Sequence, residues 1–387
     1  MNIPLTSGAN SLTFASIDAA GNTSAQTAAV VINYDSNSTT EATISFEQPF
    51  EMPLPLSPTY QIGGGNYTLK VIFNKNMNQT IKPTLTLTCG GGAVISSSAG
   101  TWSNATTFSQ NFSIPKNGGI SYDGAVAGLT ISGAQDAYGN TIDPYDYAGS
   151  AFYIDSTAPV SAFTQNTPLY VSAGSNSVSL AGTISDGTGG SGVSHLDLVW
   201  ANAAGGDVAS LSIPVLATAA NWSYNWDTSA ITTEGTYNLW TVATDKSQPT
   251  GNSETYTSKA PRTVVIDRTA PTVGTVAVNY YTTDVNDTQQ PFTESITRIT
   301  ALINDSTGGS GINANTSEIS LTKNGAPVTG EKSYNGAALV YSFASLPDGT
   351  YDLSVTPKDN SGNAGETATR SFTVAVNVTS DVTFVPE

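Results

Sequence analysis

Polar and apolar residues alternate with period two along short stretches of this chain. Ser177-Val178-Ser179-Leu180-Ala181-Gly182-Thr183-Ile184 and Tyr237-Asn238-Leu239-Trp240-Thr241-Val242-Ala243 both alternate in this way. So do Tyr67-Thr68-Leu69-Lys70-Val71-Ile72-Phe73 and Tyr351-Asp352-Leu353-Ser354-Val355-Thr356. Period two places alternate side chains on opposite faces of an extended strand, one face in a core and the other in water. Gly, Asn or Pro interrupts these Val-, Thr- and Tyr-rich runs roughly every 8 to 12 residues, the spacing of an all-β sandwich. No long amphipathic helix is expected. Reversals carry their own chemistry: in Leu346-Pro347-Asp348-Gly349-Thr350 the proline presets φ and the glycine tolerates positive φ ahead of a strand.

The strand pattern repeats. Ala151-Phe152-Tyr153-Ile154-Asp155-Ser156-Thr157-Ala158-Pro159 returns 112 residues later as Thr263-Val264-Val265-Ile266-Asp267-Arg268-Thr269-Ala270-Pro271. An acidic turn closing in Gly-Asn precedes each border: Asp136 to Asn140, and Asp245 with Gly251-Asn252. The same turn occurs at Asp18 to Asn22 and at Asp359 to Asn363, which sets a period of about 110 residues. A Gly-rich loop, Asp186-Gly187-Thr188-Gly189-Gly190-Ser191-Gly192, recurs as Asp305-Ser306-Thr307-Gly308-Gly309-Ser310-Gly311. Three signatures in the same order define tandem units: a closing fragment at 1–35, a divergent unit at 36–155, two clearer units at 156–268 and 269–376, and the start of a following segment at 377–387. A length of 387 residues agrees, since domains of ~100–150 residues give three or four units.

Composition narrows the function. Thirty acidic residues against 13 basic ones give a net charge of -17, which argues against nucleic acid or an anionic membrane surface as a partner. No 18-residue apolar run is present, so direct membrane insertion is not expected. Met1-Asn2-Ile3-Pro4 begins neither a basic nor an apolar leader, and the chain reads as a piece of something longer. A single cysteine, Cys89, cannot form an internal disulfide.

Units that close with Asp, small residues and Gly-Asn, followed by a strand ending Ile-Asp-x-Thr-Ala-Pro, resemble the bacterial immunoglobulin-like repeats of large surface and adhesin-type proteins. The resemblance covers roughly residues 1–376 and is clearest over 156–376; residues 40–155 resemble a divergent member, in which Tyr67 to Met77, a strand followed by Asn-Lys-x-Met, resembles a variant of the repeat. It implies tandem immunoglobulin-like β-sandwich domains, an extracellular or cell-surface stalk, contact with neighbouring repeats or copies of the same protein, and in some members calcium.

In such a sandwich the entering linker, the B to C loop and the F to G loop share one end. Asp155, Asp186 and Asp245 would then meet, as would Asp267, Asp305 and Asp359. Carboxylates with turn carbonyls suit Ca2+, a hard cation that takes six to eight oxygens. The alternative is that each Asp only caps its own turn.

Other features carry less. Asn-x-Ser/Thr sequons at Asn22, Asn37, Asn66, Asn78, Asn104, Asn111, Asn221, Asn286, Asn304, Asn315 and Asn377 are expected by chance in so Asn-, Ser- and Thr-rich a chain. Catalysis is not expected: His195 is the only histidine, and no nucleophile elbow, zinc-protease helix or phosphate loop occurs. Gly63 to Gly65 and Gly90 to Gly92 are read as turns. Trp222, Tyr224 and Trp226 share one strand face, which is either a core or a platform for surface glycans, the carbohydrate-binding alternative. Trp240 is expected in a core.

Overall fold

The computed structural model describes residues 2–35, 40–54, 56, 60–97, 99–119, 121–142, 145–148, 152–214 and 220–376. The segment 377–387 and the sequons at Asn37 and Asn377 lie outside them. The fold is all-β: among the described residues the one helical element is a single 3-10 turn, Tyr256–Ser258.

Buried hydrophobic side chains fall into three clusters, each clamped between two sheets. The middle one shows the plan. One sheet orders Val160–Phe163, Ser177–Ser185 and Asn221–Asp227; the other orders Leu169–Val171, Arg262–Ile266, Gly235–Asp245, Val193–Asn202 and Ala209–Ile213. Alternation decides which residues meet between them: Val178, Leu180 and Ile184 from one side, Leu196, Leu198 and Leu239 from the other. The first cluster, with Ile44, Phe46, Leu69, Leu87, Phe108, Leu129 and Phe152, and the third, with Ile299, Leu321, Leu339, Leu353 and Phe372, follow the same scheme.

The strands correspond across clusters by pairing. Gly65–Phe73, Ser177–Ser185 and Arg298–Asn304 each lie between two antiparallel neighbours of their sheet. On the opposite sheet a short strand runs parallel to the last strand of its unit: Gln61–Ile62 beside Tyr153–Ile154, and Leu169–Val171 beside Arg262–Ile266. A parallel bridge from Phe292 to Val374 repeats this in the third. Two tyrosines form the corner typical of immunoglobulin-like sandwiches: Tyr237 Oη donates to Thr233 O at 2.9 Å and Tyr351 Oη donates to Pro347 O.

Trp222 and Trp226 point inward at 5% and 1% exposure, with Tyr224 half-buried beside them. The face they share is the sandwich interior, so these aromatics pack in the core and do not form an exposed row. Trp226 packs 5.2 Å from Trp200 and Trp222 5.4 Å from Phe163. Trp240 corrects the opposite way. It occupies the outward register of Gly235–Asp245, half-buried against Tyr256, and its indole N–H donates to Lys259 O at 3.1 Å.

At the N-terminal end, Gly8–Leu12 and Val30–Tyr34 pair only with each other among the described residues. Val30, Val31, Ile32, Phe14 and Ile17 are exposed, since among the described residues no second sheet covers this hairpin.

Candidate functional site

The site lies where one sandwich passes into the next. The strand Tyr153–Ile154 is followed directly by Asp155, which is fully buried, and Asp155 N donates to Ile62 O at 2.9 Å. Asp186 sits one residue past the strand Ser177–Ser185, and Asp245 ends the strand Gly235–Asp245. All three offer a carboxylate oxygen within 4.8 Å of one another, and Asp267, Asp305 and Asp359 do the same at the next joint. The structure therefore brings both sequence-predicted trios together.

Each carboxylate is held by the loop that carries it or by its neighbour. Asp155 Oδ2 accepts from Ser191 N at 2.7 Å and Ser191 Oγ at 2.6 Å, and Asp186 Oδ2 accepts from Gly192 N at 2.6 Å. The second joint reproduces this: Ser310 N donates to Asp267 Oδ2 at 2.7 Å and Gly311 N to Asp305 Oδ2 at 2.6 Å. The glycines have a steric reason. A Cβ on Gly190 would stand 2.5 Å from the Asp186 carboxyl, and one on Gly309 would stand 2.6 Å from Asp305 Oδ2.

The Gly-Asn turns supply a third support. Asn252 Nδ2 donates to Asp245 Oδ2 at 2.7 Å and to the linker carbonyl of Asp155 at 2.6 Å, while Asn252 Oδ1 accepts from Gly64 N of the preceding sandwich at 3.1 Å. Asn363 repeats all three contacts, with Asp359 Oδ2 at 2.7 Å, Asp267 O at 2.8 Å and Ala173 N at 2.8 Å. From the other side a carboxylate of the preceding sandwich clamps the residues after the linker Asp. Ser156 N donates to Asp123 Oδ1 at 2.7 Å; Arg268 N donates to Glu234 Oε1 at 2.8 Å and Thr269 Oγ1 to Glu234 Oε2 at 3.0 Å. Asn252, Asn363, Ser191 and Ser310 are named in the sequence only as parts of the repeated turns and loops, without a role at the site, and Asp123 and Glu234 are not singled out there. The first four recur at fixed places in the repeats, a signal that was there to use.

Burial dominates the electrostatics. It pushes the Asp155 carboxyl up to about 6 against the opposing Ser191 hydrogen bonds, with the charges of Asp245 and Asp186 adding to the rise. Burial also raises Asp186 and Asp359. Asp186 Oδ1 is buried and no donor reaches it. Oxygen-only ligands, mutual repulsion and an orphaned carboxylate oxygen fit a hard divalent cation: these clusters can coordinate a metal ion.

Among the described residues no other group of three metal-ligating side chains gathers. His195 is 44% exposed at its side chain, with Ser194 Oγ at 3.4 Å and Asp197 at 3.7 Å, both on its own strand. Cys89 is buried in the first core, which pushes its thiol up to about 11, far from a reactive thiolate. Among the described residues no helix is long and apolar enough to cross a membrane.

No family model matches the chain, and no curated protein matches it. Among solved structures, a run of titin domains is similar over 87% of this chain and 100% of its own, at 10% identity and a TM-score of 0.33. Fibronectin(III)-like modules of Clostridium thermocellum CbhA are similar over 58% of this chain and 92% of theirs, at 16% identity and a TM-score of 0.27. The chicken CNTN1 FN1-FN3 domains are similar over 85% and 97%, at 10% identity and a TM-score of 0.23. The assignment to immunoglobulin-like β-sandwiches rests on the sheet pairing, the tyrosine corners and the buried cores above.

Proposed function

We propose that this chain is a non-catalytic spacer from the stalk of an extracellular or cell-surface protein of the bacterial adhesin type, built from sandwiches at 36–155, 156–268 and 269–376. The observation that carries this reading is the joint. Each linker Asp is held by a short strand behind it and by an Asn and a Ser ahead of it, and the residue after it is held by a carboxylate of the preceding sandwich, so the chain has little slack between units. Bonds of this kind are geometric devices, and holding two domains at a set angle is what they achieve.

Calcium is the proposed stiffener, bound by Asp155, Asp186 and Asp245 and again by Asp267, Asp305 and Asp359. An ion at either place would relieve the repulsion of three carboxylates and tie two sandwiches to one centre. Partners along the stalk are neighbouring repeats or further copies of the chain. Calorimetric unfolding in chelator and in millimolar calcium tests the proposal. Calcium at about a hundredfold over its Kd should add about 2.7 kcal/mol at each site. The double change Asp186→Asn with Asp245→Asn should remove the part due to the first site. An unchanged melting profile would leave the loops as ordinary turns.

A further inference from the structure

A third joint has the same construction with one residue exchanged, and this bears on how the stalk responds to metal. Strand register makes the equivalence explicit. In each unit a positive-φ glycine opens a strand that pairs with the closing strand, opposite the residue just before the linker position: Gly8 with Tyr34, Gly124 with Ile154, Gly235 with Ile266 and Gly349 with Val374. The linker positions are therefore Asp35, Asp155, Asp267 and Ala375. The turn Asp136 to Asn140 has the bonds of its later counterparts, Asn140 N to Asp136 Oδ1 and Asn140 Nδ2 to Asp136 Oδ2, both 2.9 Å. Thus Asp35 corresponds to Asp155, and Asp136 to Asp245.

The place of Asp186 and Asp305, just past the strand that leads into the B to C loop, is taken by Lys75, two residues beyond Gly65–Phe73. Lys75 Nζ lies 2.7 Å from Asp35 Oδ2 and 3.9 Å from Asp136 Oδ2, with side-chain exposures of 16% for the lysine and 11% and 1% for the two acids. One ammonium thus reaches both remaining carboxylates of the trio. Three acids and a cation have become two acids and a covalently attached cation.

We propose that Lys75 is a built-in counter-ion that closes the joint between the N-terminal hairpin and the first sandwich without metal, so that only the two later joints respond to divalent ions. The metal-responsive half of this statement rests on the calcium reading above; the role of Lys75 stands on its own contacts. The ammonium offsets one of the pair's two negative charges at any calcium concentration and repels a second cation. The stalk would then be locked at its first joint and adjustable at the next two.

The test uses the full chain as wild type, Lys75→Met and Lys75→Asp, with calcium counted by equilibrium dialysis and amide hydrogen exchange followed at each joint. Wild type should bind two calcium ions, one per acidic trio. Calcium should slow exchange at Ser191, Gly192, Ser310 and Gly311 by about tenfold or more and leave Tyr138 and Asn140 unchanged. Lys75→Met should speed exchange at Tyr138 and Asn140 about tenfold with or without calcium. Lys75→Asp should do so only in chelator, with calcium restoring protection and one more ion bound. Calcium protection of Tyr138 and Asn140 in the wild type would overturn the proposal. So would Lys75→Met exchange equal to wild type, or a Lys75→Asp chain that gains no ion while the later joints bind theirs. Should no joint respond to calcium, the calcium reading alone fails, and the Lys75→Met result still decides whether the lysine closes its joint.

Discussion

At the scale of single residues, burial sets the protonation of the joint carboxylates. Asp155 holds its proton to about pH 6, against an ordinary value of 3.8. Between those values the folded protein binds more protons than the unfolded chain, so this group's contribution to stability falls as pH rises from about 4 to about 6 and then stays low. The difference in melting temperature between wild type and Asp155→Asn, measured in chelator, should shift against wild type across that window. In calcium the trend should reverse, because the ion needs the ionised carboxylate and competes with the proton. Gly190→Ala isolates geometry from charge. Its Cβ would displace the Asp186 carboxyl and break the bond from Gly192 N, which should abolish the calcium response proposed for that joint and lower the melting temperature in chelator as well.

At the scale of strands, stability lies in the alternating inward faces. Trp226 is 1% exposed and packs on Trp200 within the middle core, so Trp226→Ala should cost roughly 3–5 kcal/mol in a denaturant titration. Tyr237→Phe keeps the ring and loses one hydrogen bond to Thr233 O, for which about 1 kcal/mol is expected. Period two showed which residues share a face but not which face is inside. Trp222 and Trp226 lie on the core side and Trp240 on the outer side because of the sheet each strand joins, and that pairing is non-local.

For the whole molecule, the repeated clamp predicts rigidity. Asn363→Ala removes the bonds to Asp267 O, Asp359 Oδ2 and Ala173 N together, so the joint between the last two sandwiches should bend more freely. Small-angle scattering should then show a broader distribution of maximum dimension than in wild type, and added calcium should narrow it only in part. An unchanged distribution would place the stiffness elsewhere in the linker.

The strand pattern, the repeat period and the two acidic trios were all legible in the chain, because alternation, turn chemistry and recurrence are local properties that residue order writes down directly. Tertiary structure decided the rest. Asp123 and Glu234 meet their linkers across 33 and 34 residues of chain, and Asn252 reaches Asp155 across 97. Lys75 meets Asp35 and Asp136 only because three separate loops converge at one end of a sandwich. Such contacts depend on which sheets stack and in what register, and that is set by the burial of whole faces, not by any local run of residues.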